Sequence, residues 1–385
     1  MARRALIVGA GIGGLSTAIA LRKAGWDVRV FERSNALREL GFGVGLAPNA
    51  MAALAELGVA DDVLARSFQP ACGEMRRMDG TVLRRAAWPR GILGGPFVVA
   101  MRPGLYGALL DAVGAGAVTS ASRAAGFTVR DDGATLQLAD GTSAEGDLLV
   151  GADGVHSVIR RHLHPAEPPP RSSRIVSVRG GVDGVLDHLG GFDVIYYLGQ
   201  GIESAFLRAS ATGIYWFFAV AEELLPAGVR DAAALVAHLA PRFDDSFRAI
   251  TSATSELRSD GALVDRDPLP SWGSGPVTLL GDAAHPMLPH TGQGAAQAIV
   301  DAVTLGKMLT GDVNIEQTLR AFEAERMPKT AALVRQGRRT AGIMRVSNPA
   351  LCYARELVFR AVPVKPLIKF YTRVNRRAGT DVSAG

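Results

Sequence analysis

At 385 residues the chain is long enough for two to three domains around a large buried core, which excludes the small scaffolds that need disulfides or metals to fold. With 48% hydrophobic and 21% charged residues it is too apolar to be disordered, and its 42 Lys+Arg against 37 Asp+Glu leave a net +5. Two cysteines, Cys72 and Cys352, without any Cys/His cluster, exclude a disulfide framework and give no ligands for a structural metal, so no metal site is expected.

The first apolar run, residues 5–8, is far too short to cross a membrane and has no cleavage region beside it. A reducing, cytoplasmic setting is therefore expected. Residues 5–32 read as strand, Gly-rich turn, apolar periodic helix and second strand, which is a βαβ unit and predicts a parallel sheet covered by helices. Helices are expected at about 46–57 and 105–113, and hairpin-like strands with Asp-Gly turns at 127–150. The Pro-rich stretch 165–171 looks like a boundary, after which strand signals dominate to about residue 220. An Ala-rich helix near 231–240 precedes a strand at 277–280 that resembles the first, and a helical tail follows from about 315. The predicted architecture is α/β. A nucleotide-binding domain from 1–72, 98–170 and 270–345 is interrupted by a mostly antiparallel sheet domain from 73–97 and 171–269, and 346–385 forms a C-terminal basic helical tail.

Two motifs carry chemistry. Gly9-Ala10-Gly11-Ile12-Gly13-Gly14 is a GxGxxG that follows a strand and opens a helix. Its first glycine permits a tight turn, the second lets backbone approach a pyrophosphate, and the last allows close helix–strand packing in a Rossmann-like unit. Glu32, followed by Arg33, ends the second strand where a carboxylate accepts from ribose hydroxyls, so a dinucleotide is expected. The second motif runs from Gly281-Asp282 through His285, Pro286, Pro289, His290, Gly292 and Gly294 to Ala295. Such a loop brings backbone N–H groups and a helix N-terminus to one point, where anionic charge is stabilised, and Asp282 can accept from a polyol.

These motifs, with Asp147-to-Arg160 between them, resemble the FAD-dependent single-component aromatic hydroxylases, typified by p-hydroxybenzoate and salicylate hydroxylases, over about residues 1–345. The resemblance implies that Gly281 and Asp282 hold the flavin ribityl chain and that the 286–294 loop covers the ring near the site of oxygen activation. It further implies that Asp153 and Arg160 brace the phosphate-proximal region, and that Arg102 lies near the FAD. The implied reaction consumes NADPH or NADH, bound transiently at the surface because only one GxGxxG occurs, and inserts one atom of O2 through a flavin hydroperoxide by hydroxylation or epoxidation. Ala296 and Val300 stand where the family commonly carries Asn and Glu, which alters hydrogen bonding behind the loop.

For catalysis the candidates are Pro289, His290 and Tyr215, with His285 as a second histidine of the loop. Tyr215 and Trp216 are neighbours on a strand and must point to opposite faces, one toward the flavin. Tyr197 and Phe206 on adjacent strands are further substrate-lining candidates, and Arg208, sharing a face with Phe206 by alternation, is the candidate anion anchor. A neutral or apolar phenolic or polycyclic substrate is expected. The competing readings are an oxygen-independent flavin reductase of the geranylgeranyl-reductase kind and a flavin- or ligand-binding protein without turnover. The charge excess has one address: 346–385 holds seven bases and two acids, so residues 1–345 balance at 35 of each and give no basic field for nucleic acid. The tail is expected to pack back on its own domain, with contact to an anionic membrane as the alternative. A monomer or homodimer is expected.

Overall fold

The continuous apolar runs at 5–8 and 148–150 have nowhere polar to face, and they form the middle of a parallel sheet buried on both sides. Its order is Val277–Leu279, Leu148–Gly151, Arg4–Val8, Asp27–Phe31 and Val118–Thr119, with every pairing parallel. The computed structural model describes residues 3–37, 41–87 and 95–361. Helices Ile12–Lys23 and Gly294–Met308 pack closely over this sheet; a Cβ on Gly306 would stand 2.7 Å from that of Ala20. Hairpin strands Ala124–Arg130, Gly133–Leu138 and Ser143–Gly146 form a separate antiparallel sheet.

A seven-stranded sheet carries the second half of the fold, in the order Glu256–Asp265, Arg171–Asp183, Gly213–Ala221, Ile202–Arg208, Val194–Leu198, Cys72–Arg77 and Val82–Ala87. All its pairings are antiparallel except that of Val194–Leu198 with Cys72–Arg77. One face is closed by helices Ala232–Leu239 and Asp245–Ser252, under which Tyr197, Phe206, Trp216, Phe218, Phe243 and Phe247 pack together. The other face meets a small sheet of Gly43–Leu46, Val98–Met101 and Ser67–Phe68, whose first strand the sequence does not announce. Helix Ile315–Met344 packs its Ala341 with Ile175, Ala219 and Leu263 of the seven-stranded sheet, and Pro349–Ala361 ends the described chain. Lys365, Lys369, Arg373, Arg376 and Arg377 of the expected tail lie outside the described residues.

Candidate functional site

Gly9 sits at φ +100°, and a Cβ there would come within 2.5 Å of the Ala152 carbonyl oxygen, so the turn after the first strand requires glycine. Gly14 touches the same turn: a Cβ would stand 1.9 Å from the Gly9 carbonyl oxygen. Beside them Gly11 has no neighbouring atom within 4 Å of its Cβ position, which leaves room above the helix start. Helix Ile12–Lys23 begins there with no side-chain cap, so its N–H groups point at open space. Glu32 is fixed from both sides: the amide of Ala10 donates to Oε2 and that of Ser34 to Oε1, each at 2.8 Å. Its remaining lone pairs face a groove of about 240 Å³ lined by Gly9, Gly11, Arg33, Arg123 and Asp153.

Asp153 accepts from Ser157 Oγ at 2.5 Å and from the Val158 amide at 2.7 Å, while burial pushes its carboxyl above the usual aspartate range. Arg160 does not join it. The guanidinium binds Glu167 through two nitrogens, at 2.7 and 2.5 Å, and donates to the carbonyls of Ala283 and Ala284 at 3.0 and 2.9 Å. The expected phosphate-side brace is thus corrected to a strut between the Asp153 segment and the Gly281 loop, because Arg160 is buried at 1% exposure, away from the groove.

In that loop Gly281 adopts φ +60° and its amide donates to Asp301 Oδ2 at 3.2 Å, while Asp282 is exposed. Asp301 also binds His285 Nε2 at 2.6 Å and Arg326 Nε at 2.6 Å. Arg326 continues to Gln297 at 2.5 Å, Gln297 to Gln293 at 3.0 Å, and Asn49 reaches the same Gln293 oxygen at 3.1 Å. Burial pushes the Asp301 carboxyl up, and Arg326 and His285 more than offset this, leaving it below the usual aspartate range. His285 is buried at 3% exposure, with Nε2 held on Asp301. Sequence reasoning missed this network; the only hint was the acid Asp301 inside the apolar helix Gly294–Met308, since Arg326 stands among many charges in its own helix. Gly292 at φ +64° turns the chain into helix Gly294–Met308, which also starts without a side-chain cap, with Ala295 half-buried in its first turn. Ala296 and Val300 are fully buried apolar contacts where the family's Asn and Glu are missing.

The seven-stranded sheet separates the aromatic candidates. Tyr215 lies on the open side, packed so closely on Gly43 that a Cβ there would stand 2.2 Å from its ring, and burial raises its hydroxyl above the usual tyrosine range. Phe42, Phe97, Met101, Leu207 and Phe217 pack around it. Arg102, at the start of helix Arg102–Val113, lies against Gly41 beside this group. Trp216, Phe206 and Tyr197 are corrected: each is 0% exposed on the helix-covered face. Trp216 Nε1 donates to Thr254 at 2.9 Å and Tyr197 Oη to Asp244 at 2.7 Å, so both are core groups with satisfied polar ends. Arg208 is corrected as well. It closes its own turn on the carbonyls of Ser210 and Ala211, at 3.2 and 3.1 Å, and lies 4.2 Å over the ring of Phe68.

His290, in the short turn Pro289–Thr291, crosses from the loop to the sheet, where its Nε2 lies 3.1 Å from Glu203 Oε1. Tyr196 donates to the other carboxylate oxygen, and burial followed by the charge of Glu203 raises its hydroxyl well above the usual range. Two donors from two elements thus converge on one buried carboxylate. Pro289 and Gly292 are exposed. The donor set fits FAD: two uncapped helix starts for its anionic groups, an anchored glutamate for a ribose, open space over Gly11 and an exposed Asp282 for a polyol. Among the described residues no cluster of metal-ligating side chains occurs.

Comparison with known proteins agrees with this chemistry. A family model described as "FAD binding domain" matches residues 3–337. The 3-amino-4-hydroxybenzoate 2-monooxygenase of Streptomyces cremeus is 35% identical over 93% of this chain and 92% of its own length. The aurachin C monooxygenase/isomerase of Stigmatella aurantiaca is 33% identical over 92% and 93%. Among solved structures, Klebsiella pneumoniae HpxO in complex with FAD and uric acid superposes with a TM-score of 0.90 over 97% of each chain, at 28% identity. The chain belongs to the FAD-dependent aromatic hydroxylases and is a flavoprotein monooxygenase that uses NAD(P)H and O2.

Proposed function

We propose that the enzyme oxygenates a neutral phenolic or polycyclic aromatic molecule held between the Gly281–Gly294 loop and the open face of the seven-stranded sheet. The observation that carries this is the sheet face itself. It offers Tyr215, Phe217 and Leu207, while Arg179 pairs with Asp260 at 3.0 Å, Arg208 closes on its own turn and Arg102 beside them is assigned to FAD. An anionic substrate would need an uncompensated cation there.

When bound, FAD supplies hydride acceptance from NAD(P)H and activation of O2. Glu32, Gly9, Gly11, Gly13, Gly14 and Asp153 would hold its adenosine and phosphates, and Arg102, Gly281 and Asp282 its ribityl end. Pro289, Gly292, Gly294 and Ala295 would border the flavin, and the uncapped start of helix Gly294–Met308 would stabilise negative charge there. Tyr215 orients the substrate against the ring. Burial raises its hydroxyl, which stays protonated and donates a hydrogen bond through Oη. His290, held through Nε2 on Glu203, keeps the covering loop against the sheet and water out of the cleft. The protein acts as a monomer or homodimer in the cytoplasm.

A panel of phenols, polycyclic phenols and benzoates tests this through stimulated NAD(P)H oxidation with oxygen uptake and product mass. Neutral phenols gaining one oxygen is the expected result. Saturable stimulation by simple benzoates and none by phenols contradicts it. NAD(P)H consumption without oxygen uptake points to the reductase alternative.

A further inference from the structure

The last described helix, Pro349–Ala361, is inverted relative to an ordinary surface helix. Its charged central residues face the protein: Arg355 and Glu356 are each 8% exposed. Arg355 donates to the carbonyls of Gly199 at 2.7 Å and Ile343 at 3.3 Å, and Glu356 accepts from Arg77 at 2.7 Å. The apolar residues face outward, with Leu351, Tyr353, Leu357 and Val358 exposed at 59%, 56%, 45% and 58%. At about 100° per residue these four and Ala354 share one continuous sector, with Arg360 at its edge. An apolar stripe of this kind marks an interaction surface.

We propose that this face docks on an anionic lipid surface. The sequence that follows carries Lys365, Lys369, Arg373, Arg376 and Arg377 against the single acid Asp381, interleaved with Leu367, Ile368, Phe370 and Tyr371, whereas residues 1–345 balance in charge. A net positive sequence that continues directly from a helix with an outward apolar face is the chemistry of interfacial attachment, and Tyr353 suits the headgroup level. A second copy fits less well, since two-fold pairing through this helix brings two basic segments of like charge together. Among the described residues no helix is long and apolar enough to cross a membrane, so the attachment is peripheral.

The test is flotation of the full-length, FAD-loaded protein with vesicles of phosphatidylglycerol and phosphatidylcholine, or of phosphatidylcholine alone. Wild type is expected on the anionic vesicles, with binding weakened about tenfold or more by omitting phosphatidylglycerol or by high salt. The Leu357→Glu/Val358→Glu variant loses about tenfold or more while flavin content and unfolding temperature stay unchanged. Leu357→Ser/Val358→Ser, a milder pair, reads the same loss if the charged pair fails to fold. Absence of binding to either vesicle, or undiminished binding by both variants, overturns the proposal. So does a lipid-free dimer that these variants dissociate, which assigns the face to a second copy.

Discussion

The two sides of the seven-stranded sheet are held by different forces. Under the covering helices, Tyr197, Phe206, Trp216, Phe243 and Phe247 interlock at ring separations of 3.8 to 6.2 Å, so apolar burial does the holding. On the open side the ring-covering loop is tied to the sheet through His290, Glu203 and Tyr196, and braced behind by Asp301, Arg326, Gln297 and Gln293. The first side is optimised for stability, which tolerates many ring arrangements of the right volume. Loops that must stand at a fixed height over a cofactor need directional bonds, which packing alone does not supply. Aromatic density in this chain therefore marks the core, and converging polar groups mark the site.

The comparison breaks most visibly at its strongest points. Trp216→Ala should cost about 3–5 kcal/mol in denaturant unfolding and leave ligand affinity of the folded protein unchanged. Arg326→Met should cost a similar amount, about 3–5 kcal/mol, by leaving the buried Asp301 with only His285 and the Gly281 amide as partners, and should also weaken FAD binding measured by flavin fluorescence. A Trp216-like result, with stability lost and FAD affinity intact, would show that the Asp301 network is only structural. Glu32→Ala should lower FAD affinity about ten- to hundredfold with little change in the unfolding of the FAD-free protein. Glu203→Ala should cost about 1–3 kcal/mol through the orphaned donors of Tyr196 and His290, and raise the KM for the aromatic substrate more than that for NAD(P)H.

Acid provides the gentlest perturbation. The Asp301 carboxyl lies below its ordinary value in the folded protein, so its stabilising contribution is complete above about pH 4 and is lost as pH falls through the lowered folded value. Wild type should lose thermal stability more steeply below about pH 4 than Asp301→Asn does. Equal slopes would remove Asp301 from the account of acid sensitivity.

The cofactor half of the site was legible in the sequence because its signals are local: the glycines at 9, 11 and 14, and Glu32 at the end of the next strand, all act within one βαβ unit. The substrate half was not, because alternation says that Tyr215 and Trp216 oppose each other without saying which looks at the cleft. That is decided by helices Ala232–Leu239 and Asp245–Ser252, which take the Trp216 side. Tyr196 escaped notice beside Tyr197 for the same reason, and alternation from Tyr215 would have pointed to Phe217. The strand Gly43–Leu46, two glycines in four residues, reads as loop and forms only against Val98–Met101. The resemblance could place Arg160 near the phosphate region, but two of its partners, Ala283 and Ala284, lie over a hundred positions away.

The central claim is that the Tyr215 face, and not the face bearing Trp216 and Phe206, meets the substrate. Titrating an accepted phenol into the FAD-loaded enzyme while following the visible spectrum of the bound flavin tests it in wild type, Tyr215→Ala and Phe206→Leu. The account predicts a dissociation constant raised about tenfold or more in Tyr215→Ala and unchanged within about twofold in Phe206→Leu. A weakened Phe206→Leu beside an unaffected Tyr215→Ala would contradict it.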